Sequence, residues 1–209
     1  MPEAFSISVL SRDRKSKTFS SRRANSSNLH QTKIDVKTQS TAIKLALLNI
    51  RSLKNKSFLI NDFITTNNLD FMFLNETWLE DGCSATILNE AAPPNFTCMS
   101  VCRTVRRGGG VAALFKDVYQ CKQVSFGQYL SFEYLGIVLK GDTCILFIII
   151  YRPPKYSPAF VEEVTEMLSM ISSEFDCFAI AGDFNIHIDN AENKTNPNYK
   201  RNDNYLKHF

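Results

Sequence analysis

Apolar and polar positions divide the chain into a polar start, a patterned middle and a polar end. Residues 1–42 are rich in Ser, Thr, Asn and basic side chains with little periodicity, and read as a disordered tail. The pattern changes at Ile43. Segments 43–50 and 69–74 are short, nearly unbroken apolar runs, as expected of strands covered on both faces. Between them Phe58, Leu59, Ile60, Phe63 and Ile64 put an apolar stripe on a helix over 54–67. After a loop at Pro93-Pro94, strands are predicted at 96–101, 111–115, 118–125, 133–140 and 143–151, with Gly141-Asp142 as a tight hairpin turn. Ser157 as N-cap and Pro158 in the first helical position open a second helix, striped by Val161, Val164, Met167, Leu168 and Ile171. Segment 177–181 is the last clear strand, and beyond Asp189 the pattern fades.

Alternating helix and strand at both ends, with a strand meander between, predicts an α/β sandwich of mixed sheets. No G-x-G-x-x-G opens a helix, which argues against a dinucleotide-binding unit. The 209 residues suffice for one well-filled domain, assigned to 43–209. A net charge of +3 is too small to imply a polyanion partner, so its distribution matters more. Arg12, Arg14, Lys15, Lys17, Arg22, Arg23, Lys33 and Lys37 face only Glu3, Asp13 and Asp35 in the first forty residues. Such an arm could neutralise phosphates, although a solvated extension is the plainer reading. The six cysteines form no C-x-x-C pair, and Cys98 and Cys102 have no nearby His to complete a zinc site. They read as free thiols in a reducing compartment. The sequons at Asn75, Asn95 and Asn193 would count only in a secreted protein, and the start has no signal-peptide pattern. An Arg- and Ser-rich start is compatible with a mitochondrial presequence, but Glu3 and Asp13 oppose it. The longest apolar run, 144–151, is far short of the ~20 residues of a membrane helix, so no membrane partner is expected.

Four polar clusters stand at the ends of apolar strands, where side chains leave a core and can converge. They are Asn49 with Arg51 and Ser52, Glu76, Tyr151 with Arg152, and Asp183 with Asn185. Two apart on an extended segment, Asp183 and Asn185 project to the same side, so one could handle a proton or cation while the other donates to a phosphate oxygen. Together the clusters suit one divalent cation and a phosphodiester, because Mg2+ needs only one or two carboxylates and keeps waters. Singly, each has a structural explanation: Asn49 as a cap, Glu76 as an exposed strand end, Tyr151-Arg152-Pro153-Pro154 as a rigid strand exit, Asp183 as a turn stabiliser. Gly108-Gly109-Gly110 reads as a hairpin approach rather than a phosphate cradle, and Trp78 as a core residue.

Taken in order, Leu48-Asn49-Ile50-Arg51-Ser52-Leu53, Glu76-Thr77-Trp78-Leu79, Gly108-Gly109-Gly110-Val111-Ala112, Ile150-Tyr151-Arg152-Pro153-Pro154 and Gly182-Asp183-Phe184-Asn185-Ile186-His187 resemble the motifs of the endonuclease/exonuclease/phosphatase superfamily. The chain looks most similar to the apurinic/apyrimidinic-like endonuclease domains of non-LTR, LINE-type retrotransposon polyproteins. The resemblance implies a four-layered α/β sandwich of deoxyribonuclease I type. It implies that Glu76 holds Mg2+ or Mn2+ and that Asn49 orients metal and phosphate. It further implies that Tyr151 contacts the scissile phosphate, that Asp183 activates water or assists the leaving group, and that Asn185 stabilises the oxyanion. Arg51, Arg152, Arg106 and Arg107 are the expected substrate contacts. The implied reaction is DNA nicking in the nucleus, the full-length relative carrying a reverse transcriptase domain. Arg51 stands where related repair enzymes have an acid, and LINE-type domains often carry a non-acid there. Glu133 also recurs in the resemblance, with no chemistry assigned to it. The family pattern closes with a His-containing motif that His30, His187 and His208 do not supply, so the domain is expected to be incomplete at its C-terminus. Alternatives are a phosphodiesterase of the same fold with another substrate, and a non-catalytic remnant that at most binds nucleic acid.

Overall fold

A computed structural model describes residues 4–6, 43–80, 84–102, 108–155 and 157–186. Two sheets stack face to face. The first has strand order β1-β2-β3-β5-β4 and the second β6-β7-β8-β9. In chain order the strands are β1 (Ala4–Ser6), β2 (Lys44–Asn49), β3 (Phe71–Asn75), β4 (Phe96–Val101), β5 (Val111–Lys116), β6 (Cys121–Val124), β7 (Glu133–Leu139), β8 (Ile145–Tyr151) and β9 (Phe178–Asp183). The helices are α1 (Ser57–Asn67), α2 (Ser84–Ala91) and α3 (Phe160–Glu174). Both sheets are mixed: β2–β3 and β8–β9 pair in parallel across α1 and α3, and the other pairs are antiparallel.

Side-chain alternation explains the layering. Phe71, Phe73, Phe147, Ile149 and Tyr151 point into the core between the sheets, with Phe71 and Phe147 ring centroids 5.3 Å apart. Met72 and Leu74 point the other way, onto Ile60 and Ile64 of α1 and Leu88 of α2. Leu146, Ile148 and Ile150 likewise meet Phe160, Met167 and Ile171 of α3. Both faces of β3 and β8 are therefore covered, which is why their sequences run apolar without a break. The result is helix, sheet, sheet, helix: the expected four-layered α/β sandwich. Among the described residues no helix is long and apolar enough to cross a membrane.

Local details depart from the sequence reading. Within the stretch expected to be a tail, Ala4–Ser6 pairs antiparallel with β2. Helix α1 buries Ile60 and Ile64 but leaves Phe58 and Leu59 75% and 61% exposed, so the apolar stripe is narrower than expected. Helix α2 was not anticipated, its eight residues burying Leu88 and Ala91 fully and Ile87 partly against the core. The N-cap of α3 is Ala159 with no side-chain cap bond, and the Ser157 carbonyl instead accepts from Phe160 N–H. The β7–β8 connection is a loop of residues 140–144 rather than a two-residue turn.

Candidate functional site

The inward-facing series of several strands ends in a polar residue at the same rim. β2 runs Leu45, Leu47, Asn49; β3 runs Phe71, Phe73, Asn75; β8 runs Phe147, Ile149, Tyr151; β9 runs Ala179, Ala181, Asp183. Antiparallel β7 enters at this end with Glu133, which is in register with Tyr151. Parallel pairing sets Asn49 beside Asn75 and Tyr151 beside Asp183. The carboxyl ends of two parallel pairs, one per sheet, thus meet, an arrangement that places ligands beyond strand ends in open α/β folds.

Asn49 joins the two sheets chemically. Its Nδ2 donates to Glu76 Oε1 at 2.9 Å and to Asp183 Oδ2 at 2.7 Å. Its Oδ1 is buried with no hydrogen-bond partner among the described residues. Asp183 Oδ1 accepts from the Asn185 N–H at 3.1 Å, so the same carboxylate also shapes the turn that follows β9. The strand ends at Asp183, and Asn185 has φ 47°, so the pair is not on one extended segment as expected. One N–H of the Asn185 side chain donates to the Arg152 carbonyl at 2.7 Å.

Further hydrogen bonds fix the rim. Buried Asn75 donates across the sheets to the Ile150 carbonyl at 3.0 Å. Gly110 N–H donates to Glu133 Oε2 at 2.5 Å, also sheet to sheet. Sequence reasoning missed the first role and assigned none to Glu133. The signal available was the inward series itself, in which a polar residue follows two apolar ones two positions apart. Glu76 sits just past β3 with φ 55°, a left-handed conformation a side chain rarely adopts. Carbonyls of Gly109 and Gly110 accept from Trp78 and Thr77 N–H, and Glu76 and Thr77 carbonyls accept from Ser52 and Leu53. The glycine run is therefore a brace for the Glu76 loop. Gly110 has φ 84°, and a Cβ there would lie 2.6 Å from Thr77 Oγ1.

Burial bears on three of the residues singled out in the sequence. Arg152, an expected substrate contact, is 0% exposed; its Nη1 donates to the Phe184 and Asn185 carbonyls, and its guanidinium lies 4.9 Å from the Phe160 ring centre. A planar fork of donors suits carbonyls that leave the β ladder where β9 ends. Trp78 does not pack in the core but is 42% exposed. Tyr151 is in register with Asp183 yet only 5% exposed, packed on the inter-sheet face. Arg51 is exposed at the rim with φ 47°. Arg106, Arg107 and His187 lie outside the described residues.

Among the described residues no three His, Cys, Asp or Glu side chains gather as a metal cluster. The site offers two carboxylates, Glu76 and Asp183, and the unpartnered Asn49 Oδ1. This all-oxygen donor set suits a hard divalent cation that retains waters.

No protein-family model matches the chain, and no curated protein does. Solved structures do share its fold. An AP endonuclease from Leishmania major aligns with a TM-score of 0.54 and 16% identity over 69% of this chain and 55% of its own. The structure of ANGEL2, a 2′,3′-cyclic phosphatase, gives 0.53 and 20% over 68% and 52%. The endonuclease domain of TRAS1, a telomere-specific non-LTR retrotransposon, gives 0.50 and 11% over 69% and 59%. The chain spans a little over half the length of these structures. Its fold is the deoxyribonuclease I-like α/β sandwich common to these endonucleases and phosphatases.

Proposed function

We propose that this chain carries a divalent-cation-dependent site for hydrolysing phosphodiester bonds, and that its substrate is DNA, nicked as by the endonuclease of a non-LTR retrotransposon. The observation that carries the reading is the Asn49 amide. It donates to one carboxylate from each sheet while its own oxygen stays buried without a partner among the described residues. Buried acceptors are normally satisfied, and two carboxylates held on one neutral amide nitrogen, with that amide's oxygen unpartnered, create a demand for positive charge. Glu76 and Asn49 would hold Mg2+ or Mn2+, with Asp183 beside them. When bound, such an ion stabilises charge on phosphoryl oxygens.

Asp183 would accept the proton of the attacking water or assist the leaving group. The second N–H of Asn185 would face a non-bridging oxygen, Tyr151 would wall the phosphate, and Arg51 would meet the DNA backbone at the rim. Arg106 and Arg107 are proposed as further backbone contacts. The ordered motifs and the fold shared with AP endonucleases and the TRAS1 domain support this reading. A reverse transcriptase domain in the full-length protein and action in the nucleus are part of the same proposal.

The test is Mg2+-dependent nicking of supercoiled plasmid by the chain, beside Glu76→Ala and Asp183→Ala. Each variant should lose about 100-fold or more in rate, the scale for removing one transition-state stabiliser. Equal rates in all three would discard the site, and inactivity in all three would favour a non-catalytic remnant.

A further inference from the structure

Trp78 is the chain's single Trp and is 42% exposed. Its backbone lies at φ 53°, as does that of Glu76 at φ 55°, so two left-handed residues flank buried Thr77. For a bulky side chain that conformation is an outlier, and it persists only where the surroundings impose it. Here they do. Gly109 O accepts from Trp78 N–H at 2.9 Å, Gly110 O from Thr77 N–H at 3.2 Å, and Thr77 O from Leu53 N–H at 2.9 Å. The paired reversal at Glu76 and Trp78 leaves the carboxylate hydrogen-bonded to Asn49 and the indole at the surface, beside Gly108. Exposed Arg51 lies on the adjoining loop, which pairs with the Glu76 loop through the Ser52 N–H to Glu76 O bond.

We infer that Trp78 is a stacking platform for an unpaired DNA base beside the phosphate held at Glu76 and Asp183, so that the favoured substrate is single-stranded or locally unpaired DNA. An indole face takes any base, while a neighbouring guanidinium meets the backbone, which is the combination used for sequence-tolerant single-strand binding. The inference rests on the proposed site for its location, but binding tests it without cleavage.

A short fluorescein-labelled oligonucleotide, used in Ca2+ buffer as single strand, full duplex and duplex with one bulged nucleotide, reports affinity by anisotropy, and Trp78 emission reports contact. The single strand and the bulged duplex should bind more tightly than full duplex and quench the indole. Trp78→Phe should keep most of the affinity, and Trp78→Ala should lose about tenfold to one-hundredfold. Trp78→Asn separates stacking from folding, because Asn accepts left-handed backbone: it should unfold at higher urea than wild type yet bind as weakly as the Ala variant. Binding without quenching, wild-type affinity in Trp78→Ala, or no binding of any oligonucleotide would overturn the inference. Quenching without any nicking would keep it and sink the proposed activity.

Discussion

At the residue scale, the Asn49 side chain acts as a neutral spacer between two anions. Its two N–H groups keep Glu76 and Asp183 together without supplying charge, which leaves the charge requirement for a ligand. Asn49→Ala should lower stability by about 1.5–3 kcal/mol, the range for hydrogen bonds to charged partners. Asn49→Asp should cost at least as much in EDTA, since a third carboxylate replaces the donors, and should recover more than the Ala variant when Mg2+ is added. Urea unfolding with and without Mg2+ measures both. Partly buried thiols give a second residue-scale prediction. Burial pushes Cys98 and Cys121 up to about 11 from 9.0, with Asp117 adding to the shift at Cys98. The folded state thus holds protons that the unfolded chain releases first, so stability is intact below pH 9 and falls as pH rises toward about 11. Replacing both by Ser should flatten that decline in urea midpoints between those pH values. Asn49, Glu76 and Asp183 were legible because each follows an apolar run. The Arg152 role was not, because a guanidinium that caps carbonyls and one that grips phosphate look identical in sequence.

At the element scale, the two parallel pairs do equivalent work. Each delivers polar residues at carboxyl ends after a helical crossover: β2 and β3 around α1, β8 and β9 around α3. Gly182 shows how tightly the second pair is built. It is in register with Ile150, and a Cβ at Gly182 would fall 1.8 Å from the Ile150 carbonyl oxygen. That acceptor belongs to backbone, whose neighbouring carbonyl atom is likewise 2.7 Å away, so the strands themselves must part. Gly182→Ala should therefore cost at least the ~1–3 kcal/mol of ordinary overpacking and displace Asp183 from Asn49. Its signature is a combined loss of urea stability and of Mg2+-dependent nicking, where a tolerated substitution would lose neither. Strands β3 and β8 were visible in sequence because, covered on both faces, they run apolar without a break. Helix α2 was not, since its anchorage is tertiary: Glu90 accepts from Ser57 of α1 at 2.6 Å, a partner 33 residues away. The position of Phe58 and Leu59 on α1 was misjudged for the same reason, as an apolar stripe does not reveal how much of it a neighbour covers.

At the scale of the whole molecule, the candidate site is also a joint between layers. Glu76 extends from the β1–β5 sheet and Asp183 from the β6–β9 sheet. Asn49 to Asp183, Asn75 to Ile150 and Gly110 to Glu133 all cross between sheets at one rim. No sequence pattern could show this, because face-to-face sheet packing pairs residues as far apart as Asn49 and Asp183 without any shared period. A cation that binds there binds only the state in which the sheets are docked, so its binding energy enters global stability. At a concentration ~100 times its dissociation constant the gain is about 2.7 kcal/mol, or a rise of about 5–10 °C in melting temperature for a chain of this size. Mg2+ and Mn2+ should each raise the melting temperature, and EDTA should reverse the rise. The shift should vanish in both Glu76→Ala and Asp183→Ala, one variant from each sheet. A shift that survived in Asp183→Ala but not in Glu76→Ala would place the ion on one sheet alone, and the joint would then be held by the asparagines without help from the metal.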